Sequence, residues 1–147
     1  MGALAPRSSR AAELGWLLAF FGASFAAAAL GATATARSVD TWYRTLRKPR
    51  WTPPRQVFGP VWTLLYTLIA VSGWLIRRQA HERPARAAAG QLALGAWLVQ
   101  LVLNAGWSIM FFGRRQIIGG LAVSAALWMA ISVYLALSAR VSRWGAA

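Results

Sequence analysis

Residues 14–36 read LGWLLAFFGASFAAAALGATATA, a run without a single charged side chain. A helix rises 1.5 Å per residue, so about 20 apolar residues cross the roughly 30 Å hydrocarbon core of a bilayer. The run is long enough, and it predicts a transmembrane helix preceded by a short polar lead at 1–13. Basic residues before an apolar run, with Ala34-Thr35-Ala36 at its end, also imitate a secretory signal and its cleavage site. The apolar part of a signal is about 7–15 residues, however, and the length here favours a retained span.

Working outward, the chain repeats the same alternation. Residues 37–56 are polar and carry paired prolines, Pro53 and Pro54, which withdraw backbone donors and forbid a continuous helix, so this is a substantial extramembrane loop. Residues 57–76 form a second uncharged span, ended by Arg77 and Arg78, and a loop follows with His81, Glu82, Arg83, Pro84 and Arg86. The third span, about 87–112, stops at a tight basic turn, Gly113-Arg114-Arg115, and the fourth covers 117–139. The expected fold is all-α, a polytopic transmembrane bundle of four helices with a single membrane domain over 14–147. Residues 140–147 leave no room for a fifth span.

Composition agrees. Of 147 residues, 58% are hydrophobic, above the roughly 45–50% of soluble domains. Sixteen Lys and Arg against three acids give a net charge of +13. The cations lie in short clusters between apolar runs and form no basic face that could hold a duplex, so lipid head groups rather than nucleic acid are the expected counter-charge. There is no cysteine, which excludes disulfides, thiolate metal sites and cysteine nucleophiles. The positive-inside rule does not orient the chain. Arg7, Arg10, Arg77, Arg78, Arg83, Arg86, Arg140 and Arg143 on the side of the termini balance Arg37, Arg44, Arg47, Lys48, Arg50, Arg55, Arg114 and Arg115 opposite. Small residues four apart, as in Gly15 and Ala19, Gly22 and Ala26, Ala27 and Gly31, and Gly120 and Ser124, would let helices approach closely or mark a dimer face. In a chain so rich in alanine they also arise by chance.

Nine tryptophans point to chemistry beyond anchoring. An interfacial belt explains Trp16, Trp74 and Trp144. It explains less well Trp42 and Trp51 in the loop, or Trp97, Trp107 and Trp128 deeper in the spans, where flat polarizable rings suit a planar ligand. Gln100, Asn104, Trp107 and Phe111 follow at steps of four, three and four, a single stripe of the third span, while Trp62 and Tyr66 share a face of the second. Amides at that depth either line a cavity or bond neighbouring helices.

Three blocks then carry a resemblance: WYRTLRKPRWTPP at 42–54, FGPVWTLLY at 58–66 and QLVLNAGWSIMFFG at 100–113. In order and spacing they resemble the signature blocks of the translocator protein (tryptophan-rich sensory protein) family. The resemblance implies a helical membrane bundle, usually a homodimer, that binds a tetrapyrrole such as protoporphyrin IX or haem in a pocket under the first loop, with no obligatory cofactor. Carried over to this sequence, the ligand-binding positions are Trp42, Trp51, Pro53, Trp62, Tyr66, Asn104 and Trp107. Family members resemble a five-helix bundle whose last helix starts after the position of Trp144, whereas this sequence stops at Ala147. The resemblance therefore implies either a shortened frame or a wall supplied by a partner, and weaker binding. A stacked macrocycle would leave its propionates to loop cations such as Arg44, Arg47, Lys48 and Arg50, which also attract anionic lipid.

Receptor or sensor is the expected role. The alternatives are a light-dependent porphyrin-degrading enzyme, which the resemblance also implies, and a transporter of porphyrins or other small hydrophobic molecules. No catalytic residue and no metal site is read from the sequence, and the lone His81 lies among charges rather than within a span.

Overall fold

The apolar runs become helices, but the helices do not end where the runs do. The computed structural model describes residues 9–142, so Arg7, Arg143 and Trp144 lie outside the described residues. Helix α1 (Arg10–Ala36) starts on Ser9, whose hydroxyl accepts from the Ala12 N–H at 3.2 Å. A single helical turn, α2 (Trp42–Thr45), interrupts the first loop. Helix α3 (Arg55–Glu82) follows directly on Pro54, whose missing N–H costs nothing at a helix start. It runs past Arg77 and Arg78, where the sequence suggested a loop, because charge ends a membrane crossing and not a helix. Arg78 pairs with Glu82 one turn on at 3.0 Å, and the helix stops at Arg83, the residue before Pro84.

After a 3-10 turn (Pro84–Arg86), α4 (Ala87–Ser108) passes into a π-helical turn (Ile109–Gly113), and α5 (Ile117–Val141) is the last helix of the described residues. The π-turn is closed by the Arg114 N–H bonding the Ile109 carbonyl at 2.8 Å. The strain of the following turn falls on Arg115, at φ 55°, and not on Gly113, which keeps a negative φ. A left-handed arginine costs about 1–2 kcal/mol that glycine does not. Arg115→Gly is accordingly expected to raise stability by about 0.5–1 kcal/mol after the entropy of the added glycine, read as thermal unfolding in detergent.

All four long helices are apolar and long enough to cross a membrane, and the protein is a multi-pass integral membrane protein. Helix α4 touches each of the other three, whereas α5 leans almost wholly on α4 and barely meets α3. The core is narrow and built from Ala27, Tyr66, Ile76, Ala93, Trp97, Leu101, Ala105 and Tyr134. Leucines such as Leu18, Leu68, Leu92 and Leu121 point outward, which water would penalise and lipid accepts.

Without a hydrophobic force between helices in lipid, polar bonds hold them in register. The Trp97 indole N–H donates to the Ile69 carbonyl at 2.8 Å, and the Tyr134 hydroxyl to Ser72 Oγ at 3.0 Å. Both ends are tied as well. At the end of the chain termini, Glu13 of α1 accepts from Arg77 of α3, and Arg86 donates to the Val141 and Ser142 carbonyls at the close of α5. At the loop end, the buried Ser38 hydroxyl donates to the Phe112 carbonyl at 2.6 Å. Two of the small-residue pairs are used inside the chain: a Cβ on Gly31 would sit 2.9 Å from Ser108 Oγ, and one on Gly120 would sit 2.9 Å from Phe111. Gly15 and Gly22 have open space beside them and face outward.

Candidate functional site

Trp62 and Tyr66 lie one turn apart on α3, their ring centroids 5.9 Å apart, and face α4. Tyr66 is buried, and its hydroxyl donates to Asn104 Oδ1 at 3.0 Å. Asn104 thus does both things open to it in the sequence. It bonds α3 to α4, and it borders a cleft of about 180 Å³ lined by Trp62, Asn104, Trp107, Ser124 and Leu127. Gln100, a turn deeper, is buried below this cleft's lining. The volume is smaller than the roughly 300–1,000 Å³ of closed small-molecule sites.

The π-turn joins this cleft to the first loop through aromatic contacts. Trp107 stacks on Phe111 at 5.2 Å with the planes 5° apart, and Phe111 in turn receives the edge of Trp42 at 5.4 Å. Tyr43 sits against Phe112 at 5.5 Å. Trp42, half-buried, is therefore coupled to Trp107 through one ring. The outer part of the loop is differently placed. Trp51 is 82% exposed, Pro53 is exposed, and neither lines the cleft. Lys48 folds back on Tyr43, with Nζ 3.1 Å from its carbonyl and 4.2 Å from its ring centre, and Asp40 pairs with Arg55. Arg44, Arg47 and Arg50 are exposed beside them.

Of the seven positions suggested by the sequence, Trp62, Tyr66, Asn104 and Trp107 come together, Trp42 reaches them through Phe111, and Trp51 and Pro53 stand apart. Phe111 lay on the Asn104 stripe and is the missing connector. Ser124 was marked only as half of a small-residue pair with Gly120, a sign of helix contact and not of a cleft, and Leu127 carried no signal because leucine is ordinary on a span as apolar as α5. Among the deeper tryptophans only Trp107 meets the cleft. Trp97 is core, edge-on to Phe20 at 4.9 Å, and Trp128 is 73% exposed toward lipid. His81 is exposed in the last turn of α3 rather than in a loop, and no cluster of metal-ligating side chains occurs among the described residues.

Comparison with known proteins identifies the family. Residues 13–147 fit the model of the TspO/MBR family. The chain belongs to the TspO/MBR family. It is 35% identical over 106 residues to the protein CrtK of Rhodobacter capsulatus, covering 72% of this chain and 64% of that one. The tryptophan-rich protein TspO of Archaeoglobus fulgidus is 40% identical over 101 residues, covering 69% and 62%. The translocator protein of Bos taurus is 33% identical over 113 residues, covering 70% and 65%. The chain spans a little under two thirds of the length of these relatives. The tryptophan clusters belong to this TspO/MBR-type membrane protein, and the cleft lies between α3, α4 and α5.

Proposed function

We propose that the protein is a membrane receptor or sensor for tetrapyrroles, taking a porphyrin such as protoporphyrin IX or haem at the cleft of Trp62, Tyr66, Asn104 and Trp107. The observation that carries this reading is the Tyr66–Asn104 bond set between two tryptophans, a flat polarizable wall around one fixed polar point. A macrocycle stacks on Trp107 and Trp62, and the Trp107–Phe111–Trp42 contacts relay its presence to the loop. Trp51 and Pro53 complete the contact set if the loop folds over the bound ring, and exposed Arg44, Arg47 and Arg50 then meet the propionates. The ligand brings its own optical and redox chemistry, while the side chains bind and orient it.

Titration of the purified protein with protoporphyrin IX, followed by quenching of tryptophan fluorescence, tests the proposal. Trp107→Phe keeps an aromatic ring but shrinks the stacking surface. It is expected to weaken binding by about 1 kcal/mol, about fivefold, and Trp51→Phe by a similar factor if the loop closes. Asn104→Leu is expected to weaken binding and also to lower stability by about 0.6 kcal/mol through loss of the Tyr66 bond. Trp128→Phe, on the lipid face, is the control. Equal affinities for Trp107→Phe and Trp128→Phe would remove the cleft as the binding site.

A further inference from the structure

A second concavity, of about 420 Å³, lies at the loop end between the last turns of α1 and the π-turn, and it shares no lining residue with the tryptophan cleft. Its floor is apolar: Leu30 and Ala34 from α1 and Ile109 from the π-turn, with Leu30 58% and Ile109 43% exposed toward the bilayer. Two arginines, Arg37 and Arg115, line it as well. The hydroxyls beside them are already engaged, Thr33 with the Leu30 carbonyl at 2.8 Å and Ser38 with the Phe112 carbonyl. The guanidinium groups are in no ion pair among the described residues. Arg115 is also the residue held at φ 55°, a conformation that an arginine does not adopt for its own stability. Asp40 is the one carboxylate in the loop sequence 37–56, and it is paired with Arg55.

We propose that this concavity holds one anionic glycerophospholipid, with its phosphate between Arg37 and Arg115 and an acyl chain along Leu30, Ala34 and Ile109. Guanidinium is the side chain best matched to a phosphate, since its fork of donors meets two oxygens at once. A zwitterionic lipid would bring a quaternary ammonium to the same two cations and lose much of the attraction. Free phosphate would keep the charge contact and leave the apolar floor unfilled. The site lies apart from the tetrapyrrole cleft, and its occupant answers to different residues.

The test uses the full chain in neutral detergent, incubated with equal amounts of phosphatidylglycerol and phosphatidylcholine of identical acyl chains, with bound lipid read by native mass spectrometry. One phosphatidylglycerol per chain is expected, preferred at least about tenfold given the attraction of each cation near a surface. In Arg37→Gln/Arg115→Gly the preference is lost, although the glycine substitution relieves strain and does not lower stability, so loss of lipid and loss of fold are separable. Arg114→Gln, whose residue does not line the concavity, keeps the preference. Equal retention of the two lipids by the unmodified protein overturns the proposal without reference to any variant. So does a preference that survives Arg37→Gln/Arg115→Gly, or one lost equally in Arg114→Gln, which would mark diffuse surface charge. Displacement of phosphatidylglycerol by inorganic phosphate at matched concentration would make this a site for free anions and would also overturn it.

Discussion

Replacing Glu13 with leucine is expected to destabilise the protein by about 2–4 kcal/mol, somewhat below the roughly 3–5 kcal/mol of breaking a fully buried ion pair, because this pair is part-buried. Glu13 Oε1 accepts from the Arg77 guanidinium at 2.7 Å, and Oε2 accepts from the Trp74 indole at 3.2 Å. The two charged side chains are 15% and 17% exposed, so solvent screens them little. Arg77 also lies over the Trp16 ring at 4.5 Å, and its Nε is buried without a hydrogen-bond partner among the described residues. Loss of the carboxylate would therefore strand a cation at the edge of the hydrocarbon with one unbonded N–H already against it. Replacing both charges, Glu13→Leu with Arg77→Met, should recover more than half of the loss, because an apolar pair carries no desolvation penalty. Unfolding of the single and double variants in detergent measures this as a coupling energy. A double variant as unstable as Glu13→Leu alone would show that packing, not charge pairing, holds these ends together. Porphyrin affinity should be unchanged in both, since the pair ties α1 to α3 at the end remote from Trp107.

The pair shows what the sequence could and could not display. Four uncharged runs of membrane-crossing length are a property of composition along the chain, and they were legible. Glu13 and Arg77 flank different runs, and nothing local says that they meet. Helix ends were misplaced for a related reason. Arg77 and Arg78 stop an apolar run, but arginine is a good helix former, and α3 continues to the residue before Pro84. The π-turn at 109–113 was invisible because Ile109 to Phe112 contain no breaker and Gly113 reads only as the end of the span. It arises where α4 must turn back to α5 while keeping Phe111 on Trp107 and Phe112 against Ser38.

The cleft was partly legible for the converse reason. Residues four or three apart on one helix share a face whatever the tertiary structure, so Trp62 with Tyr66, and Asn104 with Trp107, could be grouped from spacing alone. Spacing does not say which helix faces which, and apart from the Gln100–Asn104 stripe the apolar spans offer little polar side from which to infer it. That is why Trp97 and Trp128 looked equivalent to Trp107 and are not: one is buried against Phe20, and the other faces lipid. Loop residues have no such periodicity, and Trp51 could be grouped with the cleft only by resemblance.

The second large effect is expected at Gly90, where α4 begins against the end of α3. A Cβ built on Gly90 would lie 2.3 Å from Ala80 Cβ. Carbon atoms rest at about 3.5–4.0 Å, so the two backbones would have to separate by more than about 1 Å. Neither atom belongs to a flexible side chain, and the strain has no rotamer in which to relax. Separation would also pull on the nearby turn, where Arg86 holds the end of α5 through the Val141 and Ser142 carbonyls at 2.8 and 3.1 Å. Gly90→Val should therefore cost about 3 kcal/mol, at the upper end of overpacking effects and well above the roughly 1 kcal/mol that replacing a helical glycine contributes. Gly95, on the same helix, has nothing within 4 Å of its would-be Cβ, and Gly95→Ala should be neutral or stabilising by up to about 1 kcal/mol. Moving the methyl across the contact, as Ala80→Gly with Gly90→Ala, should restore most of the stability that Gly90→Ala alone removes. Thermal unfolding of these variants decides the matter. If Gly90→Ala is as harmless as Gly95→Ala, α3 and α4 are not in backbone contact there, and the glycine owes its place to something other than the approach of two helices.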